Sequence, residues 1–353
     1  PAPADLLFVL FLPFLLLSFS TTWEITFLSL LILVPMAISG FVGYVLLAYF
    51  NTRFFIIDVY LFVFFFIVSS FTNRIRNHIP SEKFLNSIMR GWILAGFLNI
   101  LAGLFAYMTG QTNLFGANVI RFGIRLQGFF KDPNVLGPFL VPPAAYFMKL
   151  YLENDDKKLL NTIGFFFLSF GVLITFSRAA WLNYATTVLL IFITLSKNLK
   201  RTLQVLLILT LSLVIILLFF NLTSNVDILG YNIKDLFFSR LGLQSYDQER
   251  FSSQSQFDDI LSSTSILFGA GPGNYEYFSG MATHSLFARY LGERGFVGFI
   301  LFVFFLCTVF YKIAKSPYKT FLIPVLIGQL VNSIFVDTLH WRHLWLLFSL
   351  VFM

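Results

Sequence analysis

The sequence predicts an all-α fold, a polytopic transmembrane helical bundle of about 11–12 spans with one larger extracytoplasmic loop. Three observations lead there. Of 353 residues, 58% are hydrophobic and 48 are Phe. Only 12% are charged, where a soluble domain carries about a quarter. Apolar runs of roughly 20 residues recur, the length a helix needs to cross a hydrocarbon core. Water-soluble packing cannot hide this much apolar surface, which excludes a soluble enzyme or binding module. The whole chain, 1–353, reads as a single integral membrane domain.

Apolar runs fall near 6–20, 23–50, 54–72, 88–109, 134–152, 159–176, 179–195, 202–220, 285–312, 319–336 and 341–353. These eleven are the expected spans. The first shows no cleavage pattern and is expected to remain as an anchor. The second is long for one helix and contains Pro35, Gly40 and Gly43. It is either a kinked helix or two short pieces. Cys307 is the single cysteine and lies in an apolar run, so there is no internal disulfide framework.

The net charge is +7. Here the cations punctuate the spans, so lipid and phosphate are the expected partners rather than nucleic acid. One set of loops carries Arg74, Arg76, Lys83, Arg90, Lys149, Lys157, Lys158, Lys197, Lys200, Arg201, Lys312, Lys315 and Lys319. These short positive loops are expected to face the cytoplasm. The opposite set comprises 110–133, the corner Ser177–Arg178, the long loop 221–283, and 337–343. Counted with the start of the span that follows the long loop, it holds Arg121, Arg125, Lys131, Arg178, Lys234, Arg240, Arg250, Arg289, Arg294 and Arg342. The inner set has nine Lys and four Arg, the outer set eight Arg and two Lys. Cations on the outer side run against the usual bias. Snorkelling at the interface accounts for any one of them. A preference for Arg points instead to its planar fork, which matches phosphate oxygens in pairs. Within the long loop, "NIKDLFFSRLGL" (232–243) is patterned to lie in the interface, and "FDDILSSTSILF" (257–268) to form a short amphipathic helix.

Four segments can carry chemistry. In "RLQGFFKDPNVLGPF" (125–139), Asp132 precedes Pro133 and is an expected N-cap. Arg125 and Lys131 then flank a helix N-terminus, where both features attract anions. In "TFSRAAW" (175–181), Arg178 occupies a very short turn beside Ala179 and Ala180, small residues that let another group approach. Such a charge snorkels, has a partner, or lines a wet cavity. In "FGAGPGNY" (268–275), Gly269, Gly271 and Gly273 alternate, but the spacing is not that of a phosphate loop. A tight turn that aims the next segment is the preferred reading. The fourth, "HSLFARYLGERGFVG" (284–298), puts His284 where the long loop re-enters the membrane. It is either structural or a base that accepts a proton from a hydroxyl. Arg289 and Glu293 are four apart and can pair, and Gly295 and Gly298 permit close helix packing. His340 and His343 lack a third metal ligand in sequence.

Together these segments match a known pattern. His284, Ser285, nine residues, Gly295, two residues and Gly298 resemble the His-[Asn/Ser/Gln]-x9-Gly-x-x-[Gly/Thr/Tyr] motif of the bacterial O-antigen ligase and O-antigen polymerase superfamily. "SRAAW" resembles that family's Ser-Arg-small-small turn, and Arg250 its loop arginine ahead of a G-x-G element. "GFFKDPNVLG", with Asp132 and Asn134, resembles its Pro-Asn segment. The resemblance covers roughly 120–300. It implies a metal-independent, cofactor-free GT-C-type glycosyltransferase of the bacterial inner (cytoplasmic) membrane, acting on the extracytoplasmic side. The implied donor is a glycan on undecaprenyl diphosphate, and the acceptor is a glycan or a lipid-linked glycan. By the same resemblance His284 is the catalytic base, and Arg178 and Arg250 hold the diphosphate. Arg125, Lys131 and Arg289 are further candidates for the phosphates, and Asp132, Asn134, Gly271, Gly273, Gly295 and Gly298 for shaping the site. A single displacement with inversion needs no enzyme nucleophile, in keeping with the lack of an obvious carboxylate pair. The preferred reading is an O-antigen or exopolysaccharide polymerase. An O-antigen ligase acting on lipid A-core oligosaccharide shares the motifs. A polysaccharide or lipid transporter would need polar or acidic residues within several spans.

The charge asymmetry makes a topological prediction. Loops 73–90, 196–201 and 313–319 are cytoplasmic, and 110–133 and 221–283 lie outside. Single cysteines placed at Ser81 and Asn225 are expected to label from opposite sides of the membrane, and same-side labelling overturns the scheme.

Overall fold

The computed structural model describes residues 3–17, 20–153, 157–195, 227–242 and 245–353. It is helical almost throughout, as an all-α polytopic bundle requires. Among the described residues, six helices are long and apolar enough to cross a membrane: α2 (Trp23–Leu47), α3 (Thr52–Ile75), α4 (Ser81–Thr109), α5 (Pro133–Glu153), α7 (Arg178–Leu195) and α12 (Leu286–Lys315). Four more expected spans are shorter helices: α1 (Pro3–Leu17), α6 (Lys158–Ile174), α13 (Lys319–Phe335) and α14 (Arg342–Ser349), which continues as a 3-10 turn. A helix of 17 residues, the length of α6 and α13, is ~25 Å long. Crossing a core of ~30 Å then requires local thinning or snorkelling ends. The expected span at 202–220 lies outside the described residues.

Local chemistry accounts for the helix ends. Thr22 caps α2 through its hydroxyl, which accepts the N–H of Ile25 at 3.4 Å. Asn51 caps α3 in the same way. Run 23–50 is one helix with Pro35 inside it, not two pieces. Asp132 is the cap expected for α5: its carboxylate accepts Asn134 N–H at 2.8 Å, and its carbonyl accepts Val135 and Leu136 N–H. The described residues of the long loop form four short helices: α8 (Ile233–Leu241), α9 (Ser245–Ser255), α10 (Phe257–Ser263) and α11 (Tyr275–Ser279). Three two-stranded hairpins complete the described elements. They are β1 (Asn113–Leu114) with β2 (Ala117–Asn118), β3 (Ile120–Arg121) with β4 (Arg125–Leu126), and β5 (Asp227–Ile228) with β6 (Tyr231–Asn232).

The chain forms two compact units. One comprises Ile88–Gln248 and Thr320–Asn332. Its core packs α5 against α6 and α7 through Leu136, Leu140, Val141, Leu168, Val172 and Ala180. Small residues set the spacing: a Cβ on Gly137 would lie 2.5 Å from that of Ala180. That contact is the close approach expected beside Arg178. The other unit comprises Pro1–Ser87, Glu249–Lys319 and Ser333–Met353. In it α2 packs on both α12 and α3, and α3 packs on α14, with Phe65, Phe302, Phe305, Trp345 and Phe348 forming an aromatic core.

The backbone feature that organises this second unit is a break in α12. Gly295 has φ 64° and ψ −172° and separates a short half-helix, Leu286–Arg294, from the long one, Phe296–Lys315. Backbone groups freed by such a break must find partners, because the hydrocarbon core offers none. The segment 266–271 supplies them. Ala270 and Gly271 N–H donate to the Gly292 and Glu293 carbonyls at 3.0 and 2.9 Å. Phe296 and Val297 N–H donate to the Ile266 and Leu267 carbonyls, both at 3.0 Å. Glycine is required on both sides of the seam. A Cβ on Gly269, at φ 72°, would lie 2.5 Å from the Glu293 carbonyl carbon, and one on Gly295 would collide with Leu267. Gly295 was expected to permit close helix packing. It instead ends a half-helix, and Gly298 does the packing: a Cβ there would lie 3.3 Å from that of Pro35.

These contacts predict unequal glycine costs. Gly269→Ala combines a left-handed backbone with a buried clash and is expected to cost about 2–4 kcal/mol. Gly116→Ala has φ 79° but open space around it, so only the backbone term of roughly 1 kcal/mol remains. Melting of the two purified variants measures the difference, and equal melting temperatures contradict the seam.

Candidate functional site

His284 stands at the head of the outer half-helix, half-buried, with its backbone in the left-handed region at φ 47°. His is among the residues that tolerate this region, and such outliers concentrate at functional sites. The next residue, Ser285, caps α12 by accepting Ala288 N–H at 3.3 Å. Thr283, buried, accepts Ser285 N–H at 3.1 Å and donates to the Ser285 carbonyl at 2.8 Å. The His284 carbonyl accepts a hydrogen bond from the Gln254 side chain at 3.0 Å, and Ser253 donates to the Ala282 carbonyl at 3.0 Å. Both donors lie at the end of α9, so the helix that carries Arg250 is stitched to the His284 turn. Arg250 is half-buried, one helical turn before Gln254. Tyr275 of α11 fastens α9 from the other side, donating to the Ser253 carbonyl at 2.7 Å. Burial pushes its phenol well above the ordinary range, so it stays protonated and serves as a donor.

The half-helix that follows His284 carries a buried charge cluster. Arg289, 2% exposed, reaches Glu293 at 3.1 Å, Glu276 of α11 at 2.8 Å and Asp337 at 2.8 Å. Arg294 pairs with Glu293 at 3.0 Å and with Asp58 of α3. The other oxygen of Asp58 lies 3.2 Å from His340 Nε2. The rings of Phe54 and His340 are 5.6 Å apart, and the Arg289 guanidinium lies 5.4 Å from the Phe54 centroid. Four carboxylates thus share two guanidiniums. Glu276 and Asp337 are partly exposed, while Glu293 and Asp58 are not.

The glycine segment, expected as a turn, is a wedge within this unit. Gly271 lies against Ser39 and Gly43 of α2, and Asn51 donates to the Gly273 carbonyl at 3.2 Å. Its N–H groups satisfy α12 backbone carbonyls rather than cradle a phosphate.

In the other unit Arg125 is 5% exposed. It donates to the Thr175 carbonyl at 2.9 Å and to Asn134 at 3.0 Å. It therefore ties hairpin β3–β4 to the Arg178 turn and the start of α5, and is spoken for by the protein. Lys131 is exposed, and its carbonyl accepts from Arg121 at 2.7 Å. Arg178 opens α7, with Phe176 at φ 49° in the turn before it. Its fork holds the Asp247 carboxylate and donates to the Gly242 carbonyl at 2.8 Å. The side chain remains 29% exposed, so an incoming anion would compete with Asp247.

Two expected phosphate ligands are therefore corrected. Arg125 and Arg289 are buried and committed to internal acceptors. Arg178 and Arg250 keep the partial exposure that a ligand requires. Sequence reading missed Asp58, Glu276, Asp337 and Asp247. For Asp58 a signal existed: a lone carboxylate within "FFIIDVYLFVFFF" must have a partner. His340, considered as a metal ligand, faces Asp58.

The fold and the buried charges define a multi-pass α-helical membrane protein with a discontinuous helix. The chain matches no protein-family model and no curated protein.

Excess carboxylate makes the cluster asymmetric to mutation. Arg294→Gln strands Asp58 with only His340 and is expected to cost about 3–5 kcal/mol. Asp337→Asn leaves every arginine compensated and is expected to cost under about 1.5 kcal/mol. Thermal unfolding of both variants in one detergent tests this, and a reversed order contradicts the charge balance.

Proposed function

We propose that the protein is a membrane glycosyltransferase that moves a glycan from undecaprenyl diphosphate to an acceptor sugar hydroxyl at the outer leaflet, as a polysaccharide polymerase. The observation that carries the reading is the division of labour within 284–298. Each motif position has its own physical role: His284 half-buried at the head, Ser285 capping, Gly295 breaking and Gly298 packing. A structural histidine needs no such platform.

In this mechanism the acceptor hydroxyl oxygen attacks the anomeric carbon in line as the bond from that carbon to the diphosphate oxygen breaks. His284 takes the hydroxyl proton, and undecaprenyl diphosphate leaves with the electron pair. Arg250, on the helix sewn to the His284 turn, and Arg178 are the cations assigned to the leaving charge. A transporter reading gains one observation, the buried carboxylates Asp58 and Glu293 within spans. Both are neutralised by arginines, which favours a structural role over ion coupling.

The test is transfer by the purified full chain with a lipid-linked repeat as donor and acceptor. His284→Ala is expected to lower turnover by roughly 10²–10⁴-fold with donor binding retained. Arg178→Lys and Arg250→Lys are expected to raise the donor KM, because lysine keeps the charge and loses the fork. Normal turnover per folded molecule in His284→Ala rejects the base assignment. In cells lacking the protein, accumulating single repeats mark a polymerase, and untransferred full-length chains mark a ligase.

A further inference from the structure

We propose that hairpin β1–β2 is a membrane-interface anchor: the ring of Phe115, with that of Phe129 beside it, inserts among bilayer lipids at the boundary where α5 begins. The proposal rests on the membrane fold and does not depend on the transferase reading.

Three hairpins share one unusual turn. Each places a bulky apolar residue in the left-handed region just before a glycine: Phe115 (φ 53°) before Gly116, Phe122 (φ 50°) before Gly123, and Leu229 (φ 52°) before Gly230. In the two-residue loops of β1–β2 and β5–β6 both central residues have positive φ, a turn that prefers Asn-Gly. A bulky residue there is an outlier that persists only where something else holds it. Two of the three are held within the protein. Leu229 packs on Ile124, Phe176 and Phe237. The Phe122 ring lies beneath the guanidiniums of Arg121 and Arg125, 4.6 and 5.7 Å from its centroid. Phe115 differs, being 98% exposed. Its ring neighbour among the described residues is Phe129, with centroids 6.5 Å apart, and Phe129 is itself 45% exposed. The partner that offsets the strain therefore lies outside the chain.

The position of the two rings identifies that partner. With 21 residues, α5 is ~32 Å long and matches a hydrocarbon core of ~30 Å. Its first residue, Pro133, then stands at one boundary, a single turn's length of chain after Phe129. Phe129 N–H donates to Asn99 Oδ1 of α4 at 2.7 Å, which bolts this loop to a neighbouring span. The hairpin is held to the same loop. The Val119 carbonyl accepts Gln127 and Gly128 N–H, both at 3.0 Å, and the Gln127 side chain donates to the Asn118 carbonyl at 2.6 Å. Towards lipid α4 exposes Leu94, Leu98, Leu101, Phe105 and Met108, a stripe at helical spacing. No charged residue occurs from Gly91 to Ile120, so no ionised group has to be dehydrated when the hairpin enters the interface. Lipid at this boundary covers both rings, where water would leave them bare. The anchor also fixes the depth of segment 119–134, which carries Arg125 and the Asp132 cap.

The experiment uses the full chain in vesicles of phosphatidylethanolamine and phosphatidylglycerol. Cys307, the single native cysteine, is replaced by alanine, and Ala117→Cys, next to the turn, carries a nitroxide. Collisions with dissolved oxygen report lipid, and collisions with a water-soluble nickel chelate report water. With Phe115 in place, the label is expected to meet oxygen in preference to nickel. Phe115→Asn removes the ring and supplies the residue that the turn prefers, so the hairpin keeps its shape. The ratio of inserted to withdrawn hairpin is then expected to fall about tenfold or more, read as a rise in nickel collisions. Phe115→Trp, an interfacial aromatic, is expected to keep the label shielded. Equal nickel access before and after Phe115→Asn overturns the anchor, as does full aqueous access with Phe115 present. Label–label broadening that vanishes on dilution with unlabelled protein assigns the ring to a second copy and overturns lipid as its partner.

Discussion

The seam at Gly295 is the constraint on which the His284 unit depends. A helix interrupted within a membrane leaves carbonyls and amides that neither lipid nor its own next turn can satisfy. Here the interrupted backbone is repaired by a segment some 25 residues earlier, in four hydrogen bonds of 2.9–3.0 Å. That repair dictates the glycines at 269 and 295, because two backbones meet with no room for a Cβ. It also delivers Glu293 to the interior, and two arginines follow to neutralise it.

The arginines of the outer set divide by what their forks hold. Arg125, Arg289 and Arg294 are buried, and each joins separate parts of its unit: a turn to a helix start, α11 to α12, α3 to α12. A guanidinium bridges two acceptors at once, which a lysine cannot do with fixed geometry. Part of the arginine preference is thus architectural. Arg178 and Arg250 retain partial exposure.

Catalytic logic and architecture meet at residues 282–294. The His284 backbone is held by α9 through Gln254, by Thr283 and the Ser285 cap, and by a half-helix that Arg289 ties to Glu276 and Asp337 and Arg294 ties to Asp58. A fixed main chain of this kind is what the proposed base would require.

The sequence by itself determined the all-α class, the helix positions, the Asp132 cap and the Arg289–Glu293 pair. These follow from local causes: apolar run length, side chains that reach their own backbone, and a spacing of four on one helix. It also pointed to His284 through a spaced motif. It did not reveal that Gly295 breaks α12, that "FGAGPG" is the patch for that break, or that Asp58, Glu276, Asp337 and His340 gather around two arginines. Each of those depends on partners far apart in the chain, such as Asp58 and Arg294. Only tertiary structure decided them, because in a low-dielectric interior a charge or an orphaned carbonyl is placed by whichever distant group can satisfy it.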